Sequence, residues 1–226
     1  MIGKLFFILS ISLASYTSWA QRSSATTDEP LPTELKELIT ELQDSQLSTY
    51  KQLRKLFFHV KRNYLVKHQL SSTYTSTLQG RTYDCVTGTL LYDNLLKSMG
   101  FQTTIHEFNH HVLLAVHTGT QDILFDCTDP YGIIKGRKEV AATIAFYKKQ
   151  KKVLPDTNIY ETIGTDEALG LYYFNQSVRH LDTEDIDGAK EYAALALKQY
   201  PCDRTLALRD LLSHSHQQIM SVYSGK

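Results

Sequence analysis

The chain has no excess of charge, few cysteines and no long apolar run. Lysine plus arginine number 24, as do aspartate plus glutamate, so the basic surface typical of nucleic-acid-binding proteins is not expected. The longest apolar stretch, near the N-terminus, is shorter than the ~20 residues that a membrane-spanning helix needs. We therefore expect no nucleic-acid partner and no stable membrane anchor.

The three cysteines are Cys85, Cys127 and Cys202. An odd number in an exported chain allows one disulfide and one free thiol. Cys85 is the candidate free thiol, and Cys127 and Cys202 would pair if the C-terminal helices packed against the central hairpin. The histidines and cysteines do not show zinc-site spacing, since His110 and His111 are adjacent. No metal or other cofactor is predicted.

The first twenty residues have the pattern of a secretory signal peptide. Lys4 supplies the positive start, Leu5 to Leu13 the apolar segment, and Ser18 to Ala20 a small-x-small cleavage site. We predict cleavage after Ala20, a polar linker over residues 21–32, and export to the periplasm or the extracellular space.

A helix that begins at a cysteine opens the central part of the chain. Asp84 is a candidate N-cap, and the apolar residues that follow keep helical spacing: Val86, Leu90, Leu91, Leu95 and Met99. Gly100 is typical of the position after a helix end. Cys85 therefore lies in the first turn, where free backbone N–H groups and the helix dipole favour the thiolate. A thiolate there is a candidate nucleophile.

Three predicted strands follow, and the last two form a hairpin. They cover Thr103 to Phe108, His111 to His117 and Asp122 to Thr128, with Thr118 to Gln121 as the connection. A two- or four-residue loop pairs Leu114 with Phe125 and Val116 with Ile123 on an apolar face that would be core.

His111 and Asp126 then share the opposite face of the hairpin as diagonal neighbours, within reach of their side chains. The same parity favours His111 over His110, and Asp126 over Asp129. A thiol, an imidazole and a carboxylate in this order suggest a nucleophile, a base and an orienting group.

Each of these residues also has an ordinary structural explanation. A buried cysteine is often only a small hydrophobic residue, and a strand histidine is often only hydrogen-bonded. Asp126 and Asp129 would be suitable residues for turns before Pro130. The joint occurrence of the three candidates in a helix–strand–strand context favours a functional site.

The segment from about Leu56 to Tyr131 resembles the transglutaminase-like superfamily, relatives of papain-type cysteine proteases. The resemblance lies in Cys85 at a helix start, His111 in HVLLAV and Asp126 in LFDCT. His-Val-Leu replaces the family's usual His-Ala-Trp, and Asp-Cys-Thr replaces Asp-Pro-Thr. The resemblance implies an α+β core, in which a helix carrying the cysteine packs on an antiparallel sheet.

The resemblance also implies a Cys85–His111–Asp126 triad. A glutamine a few residues before the cysteine serves as oxyanion donor in papain-like enzymes, and Gln79 is the candidate for that role. An ordinary loop glutamine is the equal alternative.

Helices are predicted on both sides of this core. They are a helix capped by Thr33, a second from about Ser48, a third over Val140 to Tyr147, and then Ala168 to His180, Ile186 to Tyr200 and Thr205 to Val222. Residues 71–82 and 154–164 are interpreted as loops. Ala189, Ala193 and Ala196 resemble the small positions of a tetratricopeptide repeat. We therefore predict a transglutaminase-like domain over 33–154 and a tetratricopeptide-like helical domain over 155–226, with a packing helical hairpin as the plainer alternative.

The predicted function is thiol-dependent acyl transfer, with hydrolysis of a peptide or protein amide preferred over cross-linking to an amine. Cys85 would attack the carbonyl, His111 would move the proton and Asp126 would hold the imidazole. The alternative is a catalytically inactive interaction module that binds a protein partner through the C-terminal helices.

Overall fold

The computed structural model describes residues 29–150, 159–214 and 218–219. The predicted signal peptide and residues 21–28 of the predicted linker lie outside the described residues. Within the described part the protein is mixed α+β, with eight helices around a five-stranded antiparallel sheet. The expected α+β class is thus confirmed at this coarse level.

The elements follow one another along the chain in a helical, a mixed and again a helical section. They are α1 (Thr33–Asp44), α2 (Thr49–Asn63), β1 (Lys67–His68), α3 (Tyr74–Gln79), β2 (Thr82–Tyr83), α4 (Cys85–Ser98), β3 (Gln102–Phe108), β4 (Val112–His117), β5 (Asp122–Phe125), β6 (Ile133–Lys135), α5 (Arg137–Lys148), β7 (Tyr160–Ile163), α6 (Thr165–Asp182), α7 (Ile186–Gln199) and α8 (Asp203–Leu212).

The sheet has the strand order β6-β5-β4-β3-β7, and a separate short parallel pair joins β1 to β2. Leu114 lies opposite Phe125 and Val116 opposite Ile123, as predicted. The backbone N–H of Thr118 donates to the Gln121 carbonyl at 3.2 Å, which closes a four-residue turn. An even loop keeps the alternation of the two strands in phase, so the predicted core face is confirmed.

Both faces of the central strands are buried. The face that carries Leu114 and Phe125 belongs to the main core, together with apolar residues of α1, α2, α4 and α6. On the other face Leu113 and Leu124 pack against Ile144 of α5. Because β4 is packed on both of its faces, the main core on one side and α5 on the other restrict a residue at the start of the strand.

The sheet continues beyond residue 155, where we placed the start of the helical domain. Residues 160–163, which we interpreted as loop, form β7 and pair antiparallel with β3. The strand is short and contains Glu161 between β-forming residues, so its sequence pattern is weak, and pairing with β3 determines its conformation. The loop prediction for this segment is wrong.

Two local predictions in the N-terminal half are also corrected. Residues 74–79, within the predicted loop, form α3, whose start is closed by a reciprocal capping box between Thr73 and Ser76. Thr33 is the first residue of α1 and does not cap it; Pro32 occupies the N-cap position without a side-chain hydrogen bond.

The C-terminal helices pack closely on each other and on the sheet-bearing core. The Ser177 hydroxyl of α6 donates to the Ala189 carbonyl of α7 at 2.7 Å. A Cβ on Gly170 would lie 2.5 Å from Cβ of Tyr200, so glycine permits this approach. Leu171 of α6 belongs to the same apolar cluster as the sheet residues. The predicted helix from Thr205 to Val222 corresponds to α8 in the described part of the chain, where residues 218–219 are also helical.

Cys85, Cys127 and Cys202 are all free thiols. The possible Cys127–Cys202 disulfide is therefore wrong for this structure. Cys127 is buried against Gly88 of α4, where an added Cβ would lie 2.8 Å from its sulfur. None of the helices in the described part is long and apolar enough to cross a membrane.

Candidate active site

Cys85 is the first residue of α4, as predicted. The Asp84 side chain accepts a hydrogen bond from the Thr87 backbone N–H at 2.8 Å, and the Thr87 hydroxyl accepts one from the Asp84 N–H at 3.0 Å. This capping box fixes the first turn and with it the position of the half-buried Cys85.

His111 and Asp126 lie side by side at the ends of neighbouring strands. His111 immediately precedes β4, Asp126 immediately follows β5, and His111 Nε2 is 3.0 Å from Asp126 Oδ1. Their side chains are only 11% and 4% exposed. The diagonal relation across the hairpin therefore brings the two residues into direct contact.

Asp126 accepts three further hydrogen bonds. The Thr128 N–H and hydroxyl donate to Oδ1 at 3.0 and 2.7 Å, and the Tyr147 hydroxyl donates to Oδ2 at 2.6 Å. Burial alone would raise the pKa of Asp126, but His111, Tyr147 and Thr128 outweigh it and hold that pKa well below its usual range. Asp126 is therefore an anion under ordinary conditions.

Tyr147 is a site residue that sequence reasoning missed. It lies near the end of α5, and its ring stacks on the His111 imidazole with centroids 4.6 Å apart. Burial, and then the hydrogen bond to Asp126, raise the pKa of its phenol, so it remains a hydrogen-bond donor. The spacing of α5 predicts which residues face the sheet, but it does not identify the one that reaches a carboxylate.

A cavity of about 450 Å³ is lined by both Cys85 and His111. The backbone N–H of Val112, next to His111, also interacts with the Cys85 sulfur. Among the described residues no hydrogen bond joins the Cys85 thiol to the His111 ring. Because Asp126 occupies Nε2, Nδ1 is the imidazole nitrogen that is available to exchange a proton in the cavity.

The resting state of Cys85 differs from our prediction. Burial, and then the negative charge of Asp84, raise the pKa of the thiol to about 12, although the Val112 N–H acts in the opposite direction. The predicted resting thiolate is thus wrong, because the cost of burying the anion exceeds the effect of the helix start. The sulfur needs a base to become nucleophilic at neutral pH.

Gln79 does not reach the site. Its side chain is at the exposed end of α3, and Nε2 donates to Glu29 Oε1 at 2.7 Å. The proposed oxyanion role for Gln79 is therefore wrong. Asn175 of α6 lines the cavity instead, with Nδ2 3.5 Å from Asp84 Oδ2, beside Cys85.

His110 and Asp129, which the strand register disfavoured as site residues, do not join the His111–Asp126 pair. His110 lines the cavity but shares no hydrogen bond with Asp126 among the described residues. Asp129 accepts from the Tyr131 N–H at 2.8 Å in an Asx turn, so it has the structural role considered above.

Lys61 of α2 supports the backbone beside the site. Its Nζ donates to the Cys127 carbonyl at 2.7 Å and to the Tyr83 hydroxyl at 2.6 Å. Burial lowers the pKa of Lys61. These contacts fix the backbone directly after Asp126.

In the described part of the chain, no group of three or more histidine, cysteine or acidic side chains is arranged to hold a metal ion. Comparison with protein-family models, with curated proteins and with solved structures finds no match to this chain. The geometry of the site is therefore the basis for inferring a function.

Proposed function

We propose that the protein catalyses thiol-dependent acyl transfer, in the manner of the transglutaminase-like superfamily, and that it hydrolyses a peptide or amide. The observation that carries this proposal is the buried His111–Asp126 pair beside Cys85 in one cavity. An anionic carboxylate that fixes one imidazole nitrogen leaves the other in the correct tautomer to act as a base.

The high thiol pKa makes the mechanism one of general-base catalysis. As Cys85 Sγ bonds to the carbonyl carbon, its proton passes to His111 Nδ1, and Asp126 stabilises the imidazolium through the Nε2 proton. The tetrahedral intermediate collapses when His111 returns that proton to the leaving amine. Water then attacks the thioester, again with His111 as base, and releases the acid and the free thiol.

The oxyanion needs donors near the start of α4. We assign the backbone N–H of Cys85 and the side-chain amide of Asn175 to this role, since Cys85 is the first residue of α4 and Asn175 lines the same cavity. The long contact of Asn175 with Asp84 leaves its amide able to turn toward a developing negative charge.

The decisive experiment is labelling of the protein with a peptide-derived acyl electrophile, followed by mass spectrometry of the modified residue. We expect stoichiometric modification of Cys85, loss of labelling in Cys85→Ser and strong slowing in His111→Ala. Cys202→Ser is the matched control, because Cys202 is also partly exposed but does not line the cavity.

A catalytically inactive interaction module is the second candidate, and the raised pKa of Cys85 favours it. Under that alternative Cys85 would react no faster than Cys202, and His111→Ala would change neither rate. That outcome would replace the proposal.

A further inference from the structure

Arg204 is the one lysine or arginine among the residues that line the Cys85 cavity in the described part of the chain. It comes from the first turn of α8, far along the sequence from the hairpin that holds His111. Its side chain is 16% exposed. A permanent positive charge therefore borders the same space as the candidate nucleophile.

Only some of the N–H groups of the Arg204 guanidinium have hydrogen-bond acceptors in the described part of the protein. Nη2 lies 3.3 Å from both Glu107 Oε1 and the Asn109 carbonyl, whereas Nε is buried without a partner. Nη1 makes no hydrogen bond to the described residues. Arginine has five N–H donors, and a buried donor without an acceptor is unfavourable. The arrangement thus leaves capacity for an additional acceptor.

The nearby carboxylates do not provide that acceptor. Glu107 is buried, and its other oxygen accepts a hydrogen bond from the Tyr200 hydroxyl at 2.8 Å. Asp84, which also lines the cavity, is buried and held by Thr87. The cavity itself is bordered by further donors, including His68 and His110, and by the Phe174 ring, 5.7 Å from the guanidinium carbon.

We propose that the acyl donor carries a carboxylate, which Arg204 binds while the scissile carbonyl is at Cys85. This inference depends on the proposed function, because it names the substrate class for the same site. Arginine suits the task since its planar donors match the two oxygens of a carboxylate. The carboxylate is that of an acidic side chain or of a free C-terminus, which share this chemistry.

The test uses the full chain and matched substrates. One pair consists of peptide anilides with glutamate or glutamine next to the scissile bond. The other pair consists of longer peptides cleaved at an internal bond, with a free or an amidated C-terminus. We expect kcat/KM to be higher by about tenfold or more for the carboxylate member of one pair, and that pair identifies the source. Equal values within both pairs would overturn the inference and leave acyl transfer standing.

A binding measurement separates this inference from the proposed function. N-acetylglutamate should slow alkylation of Cys85 by iodoacetamide, and N-acetylglutaminamide, which carries no carboxylate, should not do so at the same concentration. Protection without any turnover would support the carboxylate site and refute catalysis. Equal protection by both compounds, or by neither, would count against Arg204 as an anion anchor.

The variant arm removes the cation without leaving an unpaired buried carboxylate. In the double variant Arg204→Gln with Glu107→Gln, the discrimination between carboxylate and carboxamide should fall toward one. Arg209→Gln is the matched control on the same helix, since Arg209 is 52% exposed and pairs with Asp210. Discrimination retained in the double variant would contradict the proposal.

Discussion

Replacing Tyr147 with Phe tests the arrangement of the candidate site most directly. The change removes the hydroxyl that donates to Asp126 Oδ2 at 2.6 Å, and it keeps the ring that stacks on His111. A hydrogen bond to a charged group contributes about 1.5–3 kcal/mol, so we expect the free energy of unfolding at pH 7 to fall by roughly that amount. Asp126 is nearly fully buried, so solvent screening does not reduce the effect much.

The stability lost in Tyr147→Phe should depend on pH in a defined direction. The pKa of Asp126 is depressed in the folded protein, so its interactions stabilise the fold above the unfolded carboxyl pKa of about 3.9 and lose effect as pH falls below it. A loss of about 1.5–3 kcal/mol corresponds to roughly one to two pKa units on Asp126. The unfolded carboxyl is the same in both proteins, so the difference should be constant down to about pH 3 and narrow only as the pH falls through the folded-state pKa of Asp126 in Tyr147→Phe.

Urea unfolding at several pH values measures the stability difference and its dependence on pH. Tyr131→Phe is the matched control, because Tyr131 is 80% exposed and its replacement should change stability by less than about 0.5 kcal/mol. Equal urea midpoints for Tyr147→Phe and Tyr131→Phe at pH 7, or a stability difference that does not narrow in acid, would refute the assigned role of the Tyr147 hydroxyl.

Three further predictions follow from the site. Alkylation of Cys85 by iodoacetamide should accelerate continuously from pH 6 to 10, because burial raises its pKa to about 12; a plateau at neutral pH would contradict this. Gly132→Ala should impair turnover and thermal stability, since its Cβ would overlap the Asp126 carbonyl, whereas Gly164→Ala, whose Cβ would meet only the end of the flexible Glu167 side chain, should impair turnover little. Asn175→Ala should lower kcat by about 10²–10³-fold with KM little changed, and steady-state kinetics showing an effect on KM alone would remove it as oxyanion donor.

The parts of the site that local rules govern were predictable from the sequence. The N-cap Asp84 and the helix start at Cys85 follow from capping preferences, and they are confirmed. The contact of His111 with Asp126 follows from strand alternation once the loop is even. In these cases the determining residues are close in sequence or paired by one hairpin.

The predictions that are wrong concern features determined by packing between segments that are far apart in the sequence. Gln79 was expected in a loop near the site, but capping at Thr73 forms a helix whose end turns outward. The thiolate prediction considered the helix start, whereas burial of Cys85 by other segments dominates its pKa. Tyr147 reaches Asp126 only because α5 covers the second face of the sheet.

The C-terminal helices form part of the cavity wall. Asn175 of α6 and Arg204 of α8 line the space beside Cys85, and neither belongs to a pattern that suggests chemistry in the sequence. β7 leads directly into α6 and is paired to β3, so the sheet sets where these helices begin. A mutation in these helices can therefore alter the site in two ways. It can remove a side chain that lines the cavity, or it can shift the helix that carries such a side chain. A protein partner that displaced α8 would also move Arg204 out of the cavity. Partner binding and acyl transfer would therefore involve the same helices.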